Sequence, residues 1–182
     1  MNRGDAATGR ASSTRPLPWW EPWALTLRLA QELGTRGLVL LEGDGSALGR
    51  HAVLGVAPLE EITCRGLPGG GEAVDPFTTL AAMAASGGSW LGWLAYEAGA
   101  WVEPATHWPE PDMALLWAAR HDPLVRFDRL ERRCWLEGQD RQRLMAMEER
   151  ILSLVDGSAV DPVWPGLPID RDGKSTRLNS SH

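Results

Sequence analysis

Residues 114–138 read ALLWAARHDPLVRFDRLERRCWLEG, and this stretch decides the fold class. It holds three strand-like pieces separated by Asp122-Pro123 and Asp128-Arg129. Breaks this short suit antiparallel neighbours, whereas parallel strands need a crossover of a dozen residues or more. The same style of patterning recurs on the amino-terminal side. GLVLLEG (37–43) is a short apolar run bounded by glycines, DGSALG (44–49) is a turn, and RHAVLGVAP (50–58) is a second strand ended by Pro58. Together they predict a hairpin with a longer loop. EEITCRG (60–66) is another short strand, and SWLGWLAYEAG (89–99) is a strand whose Gly92 signals a bulge or a close backbone approach.

Three helices separate these runs. Pro22 suits a first turn, Trp23, Leu27, Ala30 and Leu33 recur at helical spacing, and Gly34 ends the segment. Asp75-Pro76 combines an N-cap with a proline at the first position and opens FTTLAAMAAS, which Gly87-Gly88 breaks. DRQRLMAMEERILSLV (140–155) places apolar residues at 144, 147, 151 and 154–155 along one face. The expectation is an α+β domain. One mainly antiparallel sheet system takes in residues 37–56, 89–97 and 113–138, with helices near 22–33, 76–85 and 140–155 packed outside it.

Composition narrows the function classes. The chain has 182 residues, 43% hydrophobic and 23% charged, enough for one sizeable domain. Its net charge of -6 and the absence of a basic block argue against nucleic-acid binding. No apolar run approaches the ~18–20 residues of a membrane span, and the first twenty residues lack the apolar core of a secretory leader. A cytoplasmic location is expected. Cys64 and Cys134 are far apart, and the histidines at 51, 107, 121 and 182 are scattered, so no metal-ligand spacing exists. Two reduced, buried thiols are expected instead.

The ends differ from the middle. Residues 1–15 are small and polar and are expected to be a disordered lead-in to a domain over 16–160. A linker over 161–172 follows. At about Asp172 the composition breaks, and the final GKSTRLNSSH (173–182) holds Lys174, the sole lysine of the chain. This tail looks like translated sequencing-adapter sequence, so it is expected to be an artefactual, disordered end.

Motifs with chemical meaning are few. Gly173-Lys174-Ser175-Thr176 resembles the end of a phosphate-binding loop, but its first glycine position holds Pro168. GLPGGG (66–71) lacks the lysine and the following helix of a phosphate cradle and reads as a flexible loop. Glu60-Glu61 and Glu148-Glu149 are adjacent carboxylates that cannot share a proton, because neighbours on a strand or helix diverge. Ser46 lies in a turn without a nucleophile-elbow context. Ten tryptophans are many, and core filling outweighs ligand stacking as their role. No residue qualifies as catalytic and none as a metal ligand.

Several segments taken together resemble the amino-terminal domain of the chorismate-utilising component I enzymes, the family of anthranilate synthase component I and aminodeoxychorismate synthase component I. They are Leu40-Leu41-Glu42-Gly43, Gly49-Arg50-His51-Ala52, Asp75-Pro76-Phe77, Trp90-Leu91-Gly92-Trp93-Leu94-Ala95-Tyr96-Glu97 and Phe127-Asp128, in family order over about residues 17–155. The resemblance implies a domain without catalytic residues that packs on a chorismate-binding domain of the same polypeptide. It implies Mg²⁺ in that other domain, no cofactor in this chain, and a glutamine amidotransferase component II as partner. It also implies half of a regulatory tryptophan pocket, formed here by Glu42, Gly43, Arg50, His51, Ala52 and Val53. The family has serine where Gly43 stands, so tryptophan is expected to bind weakly or not at all. A serine at 43 would then add one hydrogen bond. The parent reaction implied is amination of chorismate to 4-amino-4-deoxychorismate in the folate and p-aminobenzoate pathway. Anthranilate formation for tryptophan biosynthesis is the alternative. A free-standing module that binds a small molecule or a partner without chemistry is the reading from another class.

Overall fold

The computed structural model describes residues 12–103, 108–109 and 111–156, with 155 and 156 by backbone alone. The elements are β1 (Ser13–Leu17), α1 (Pro22–Leu33), β2 (Val39–Glu42), β3 (His51–Gly55), β4 (Glu60–Cys64), α2 (Pro76–Ser86) and β5 (Ser89–Leu94). A 3₁₀ helix (Tyr96–Trp101), β6 (Leu116–His121), β7 (Leu124–Asp128), β8 (Arg133–Gly138) and α3 (Arg141–Asp156) complete the order. The expected linker, the tail with Lys174 and the domain end at 160 lie outside the described residues. Within them the fold is α+β and every strand pairing is antiparallel.

The strands form two sheets rather than the single system expected, a five-stranded one ordered β1-β8-β7-β3-β2 and a three-stranded one ordered β4-β6-β5. Spacing along the chain cannot separate them, because the switch occurs inside two short connections that look like ordinary turns. α1 and α3 pack on the larger sheet, where Leu25, Leu29, Leu54, Val125, Phe127, Leu136, Leu144 and Ile151 form the main core. α2 covers the smaller sheet, with Met83 against Cys64, Leu116 and Ala118.

Helix boundaries fall within a residue of those expected, because their end signals are local. Asp75 Oδ1 accepts the Phe77 N–H at 2.9 Å, and Gly34 and Gly87 end their helices at positive φ. The buried stripe of α1 differs from the expected one. Pro22, Leu25, Thr26 and Leu29 face inward, while Trp23 is 53% exposed. Helix α1 is apolar around much of its circumference, so periodicity does not single out a face, and packing on β2 and β3 selects one.

Two further expectations are corrected. Residues 13–15, assigned to a disordered lead-in, begin strand β1, which pairs with β8 from Ser13↔Gly138 to Leu17↔Cys134. The pairing partner supplies what the polar sequence lacks. Arg15 meets Glu148 of α3 at 2.6 Å, and Leu17 enters the core. The strand at 89–99 ends at Leu94, after which Ala98 N–H bonds Ala95 O at 3.1 Å and the chain tightens into a 3₁₀ turn.

The reading of Gly92 as a close approach holds, without a bulge. Gly92 pairs in register with Ala118, and a Cβ there would run into Trp117 O and come 2.6 Å from Ala118 Cα. Both thiols are free and buried, and burial pushes Cys134 up to about 12. Gly92→Ala is expected to cost about 1–3 kcal/mol, read as a lower urea midpoint at unchanged slope.

Candidate functional site

The β2–β3 hairpin brings the six candidate residues to one end of the larger sheet. Leu41↔Val53 and Glu42↔Ala52 pair across it, and His51↔Asp128 joins it to β7. Alternation along β3 then divides the set. Ala52 points into the main core and is 1% exposed, whereas His51 is exposed and Val53 half-buried on the opposite face. Ala52 is therefore a packing residue and does not line a pocket with its neighbours.

The polar members are engaged by the protein itself. Arg129 Nη1 lies 3.2 Å from Glu42 Oε1 and donates to Gly43 O at 2.5 Å. Arg50 donates to both carboxylate oxygens of Asp128 and lies 3.3 Å from Glu131 Oε1. Arg133 closes the set, 2.6 Å from Glu131 and 3.6 Å from Asp128. Three guanidinium groups thus face three carboxylates. Arg50, backed by the Glu131 N–H, holds Asp128 down to about 2. Each of these six charged groups has an intramolecular partner, so binding an amino-acid ammonium or carboxylate here would compete with an existing ion pair.

The turn closing the hairpin is tight. Gly45 N–H bonds Gly49 O at 3.0 Å, Asp44 Oδ1 accepts the Ser46 N–H at 2.9 Å, and Ser46 Oγ accepts the Gly49 N–H at 3.2 Å. Ser46 is thereby a turn-closing residue. A Cβ on Gly43 would stand 2.5 Å from Gly49 O and 2.6 Å from its Cα. The missing hydroxyl at 43 is therefore one part of a larger difference, because this backbone has no room for a serine side chain. No protein-family model matches the chain, and no curated protein matches it.

Clefts open elsewhere. The GLPGGG loop borders an open bowl of about 750 Å³ edged by Thr63, Arg65 and Glu72. Glu60 and Glu61 diverge as expected, Glu60 to Arg120 at 3.3 Å and Glu61 to Arg36 at 2.7 Å. Among the described residues no three of His, Cys, Asp and Glu are grouped to hold a metal ion. No helix among them is long and apolar enough to cross a membrane.

Sequence reasoning missed Arg129, Glu131 and His121. The first two sit in FDRLERR, whose density of charge marks a surface turn but not its proximity to residues 42–50. His121 is 1% exposed, its Nδ1 is 3.3 Å from Val56 O, and its Nε2 has no hydrogen-bond partner among the described residues. Gly55 makes space for its ring, since a Cβ there would fall 2.6 Å from His121 Cδ2.

Gly43→Ser is expected to destabilise the chain by about 1–3 kcal/mol in urea and to produce no tryptophan heat in calorimetry. Burial lowers the His121 pKa against the opposing effects of the Val56 carbonyl and Glu61. The folded chain then binds this proton less readily than the unfolded chain, so stability is full above pH ~6.5 and falls as pH drops below it. Unfolding curves should show this loss, and a folded His121→Asn variant should lack it.

Proposed function

We propose that the chain is the amino-terminal, non-catalytic domain of a component I chorismate-aminating enzyme, of the aminodeoxychorismate type. The observation that carries the reading is a juxtaposition. Leu40–Gly43, Gly49–Ala52 and Phe127-Asp128, the separated pieces of the resemblance, lie on the adjacent strands β2, β3 and β7 and their ends. A second observation favours the aminodeoxychorismate type over anthranilate synthase. The close approach of Gly43 to Gly49 leaves no space for the serine of a regulatory tryptophan pocket.

In this reading the domain's role is structural. The ion-paired end of the larger sheet, with Leu41 exposed beside Val53, is the surface offered to a chorismate-binding domain. That other domain would hold Mg²⁺ and all reacting groups. Ammonia would come from a glutamine amidotransferase partner, and the assembly would be cytoplasmic.

Two experiments test the reading. The purified chain with chorismate, Mg²⁺ and ammonium salt should give no anthranilate fluorescence and no aminodeoxychorismate in a coupled lyase assay. Reading the gene past codon 172 should show an open frame encoding a chorismate-binding domain, and the protein from that frame should form aminodeoxychorismate. Turnover by the 182-residue chain alone, or an in-frame stop at that codon, would overturn the proposal.

A further inference from the structure

The two sheets have four outer strands, and three of them carry features that discourage pairing with another chain. β1 contains Arg15 and Pro16, β2 is four residues long and ends at Glu42, and β4 opens with Glu60-Glu61. Charges, prolines and shortness are the usual ways an edge is kept monomeric. β5 has none of them. Its sequence SWLGWL is six residues without charge or proline, and the uncharged stretch runs from Pro76 to Tyr96.

The ladder with β6 defines what this edge presents. Ala95 N–H bonds Leu115 O at 2.8 Å, in the register that pairs Ser89 with His121 and Leu94 with Leu116. Backbone groups of an antiparallel strand alternate sides with a period of two. Trp93, Leu91 and Ser89 therefore bond β6, and the N–H and C=O groups of Trp90, Gly92 and Leu94 point to the open edge. Among the described residues β6 is the sole ladder partner of β5, which is the last strand of its sheet. The flank is apolar as well. Trp93 is 37% and Leu94 45% exposed, and a groove of about 270 Å³ runs between α2 and β5, bordered by Leu80, Met83 and Trp90.

We propose that the open edge of β5 is a self-pairing interface that joins two copies of the chain through a two-fold axis at Gly92. The occupant follows from the pattern of the edge. An antiparallel copy centred on Gly92 sets Gly92 against Gly92, Trp90 against Leu94 and Leu94 against Trp90, so all three outward N–H and all three outward C=O groups of each copy are satisfied. Shifting the axis to Leu91 leaves Leu94 unpaired. A two-fold axis normal to the sheet also keeps like faces together. Leu91 then meets Trp93 of the partner on one face, while Leu94 meets the partner's Trp90 on the face that holds the groove. An edge without charge pairs with itself without like-charge repulsion, which the other three outer strands would incur or sterically oppose. The result is a continuous six-stranded sheet, β4-β6-β5 followed by its copy. This inference does not depend on the function proposed above.

Sedimentation velocity on the full 182-residue chain should show a species of twice the 19.9 kDa monomer mass, populated increasingly across micromolar concentration. Leu94→Pro removes an outward N–H and no bond to β6, so it should weaken the dimer more than tenfold while leaving in place the thermal unfolding midpoint measured at dilutions where both chains are monomeric. Trp93→Lys, a charge placed on the same edge, should act in the same direction. A mixture of Leu91→Cys and Trp93→Cys chains should crosslink between copies under mild oxidation, because those positions become directly opposite. A chain that stays monomeric throughout overturns the proposal, as does a dimer that persists unchanged in folded Leu94→Pro. A monomer whose Trp90, Gly92 and Leu94 amides resist hydrogen exchange overturns it too, since another part of the chain would then cover the edge.

Discussion

Two stretches of backbone carry the chain from the five-stranded sheet to the three-stranded one and back, residues 56–59 and residues 122–123, and they meet at His121. The imidazole bonds Val56 O on one crossing and ends the strand that leads into the other. Leu59 N–H bonds Arg120 O at 2.8 Å, and the Asp122 carboxylate accepts the N–H groups of Gln139 and Asp140 at 2.8 and 3.0 Å. The last two bonds tie the joint to the start of α3. A neutral ring suits this position, because a buried imidazolium would need a second acceptor that Nε2 does not have. The joint between the sheets thus holds a buried group whose surroundings disfavour its charged form.

At the far end of the larger sheet the electrostatics take the opposite form. Asp128, 2% exposed, is kept ionised by Arg50, and the surrounding arginines and glutamates balance one another. Charges here are tolerated because each is paired at hydrogen-bond range, with geometry set by the β3–β7 register. The same pairing ties the hairpin end to the β7–β8 turn, so the six charged groups hold one another in place. Gly43 and Gly49 contribute in the same sense. Their close approach closes the turn, and it removes the room a ligand-binding serine would occupy.

The two glycine-dependent approaches have different consequences for association. At Gly43 the contact is internal and ends a hairpin. At Gly92 it lets β5 lie tight against β6 on one side while its other side keeps a regular, uncharged row of donors and acceptors. A strand so regular at a sheet boundary is stable as an edge only where something pairs with it or where its neighbours are kept away.

Much of the local structure was legible in the residues themselves. Pro22, Asp75, Gly34 and Gly87 delimit helices through bonds made within a few positions, and the alternating apolar runs identify β2 to β8, since each signal acts at short range. The burial of both cysteines and the divergence of Glu60 and Glu61 follow from the same local rules. What the residues left open was every question settled by distant pairing. Ser13–Leu17 is polar and becomes a strand because β8 offers it an edge and Glu148 a counter-ion. Helix α1 has several apolar faces, and the β2–β3 hairpin chooses among them. The partition into two sheets, the capture of the hairpin end by Arg129, and the absence of space at Gly43 arise from contacts between residues dozens of positions apart. Sequence spacing carries no information about such contacts, because the free energy that selects them exists only once the strands are side by side.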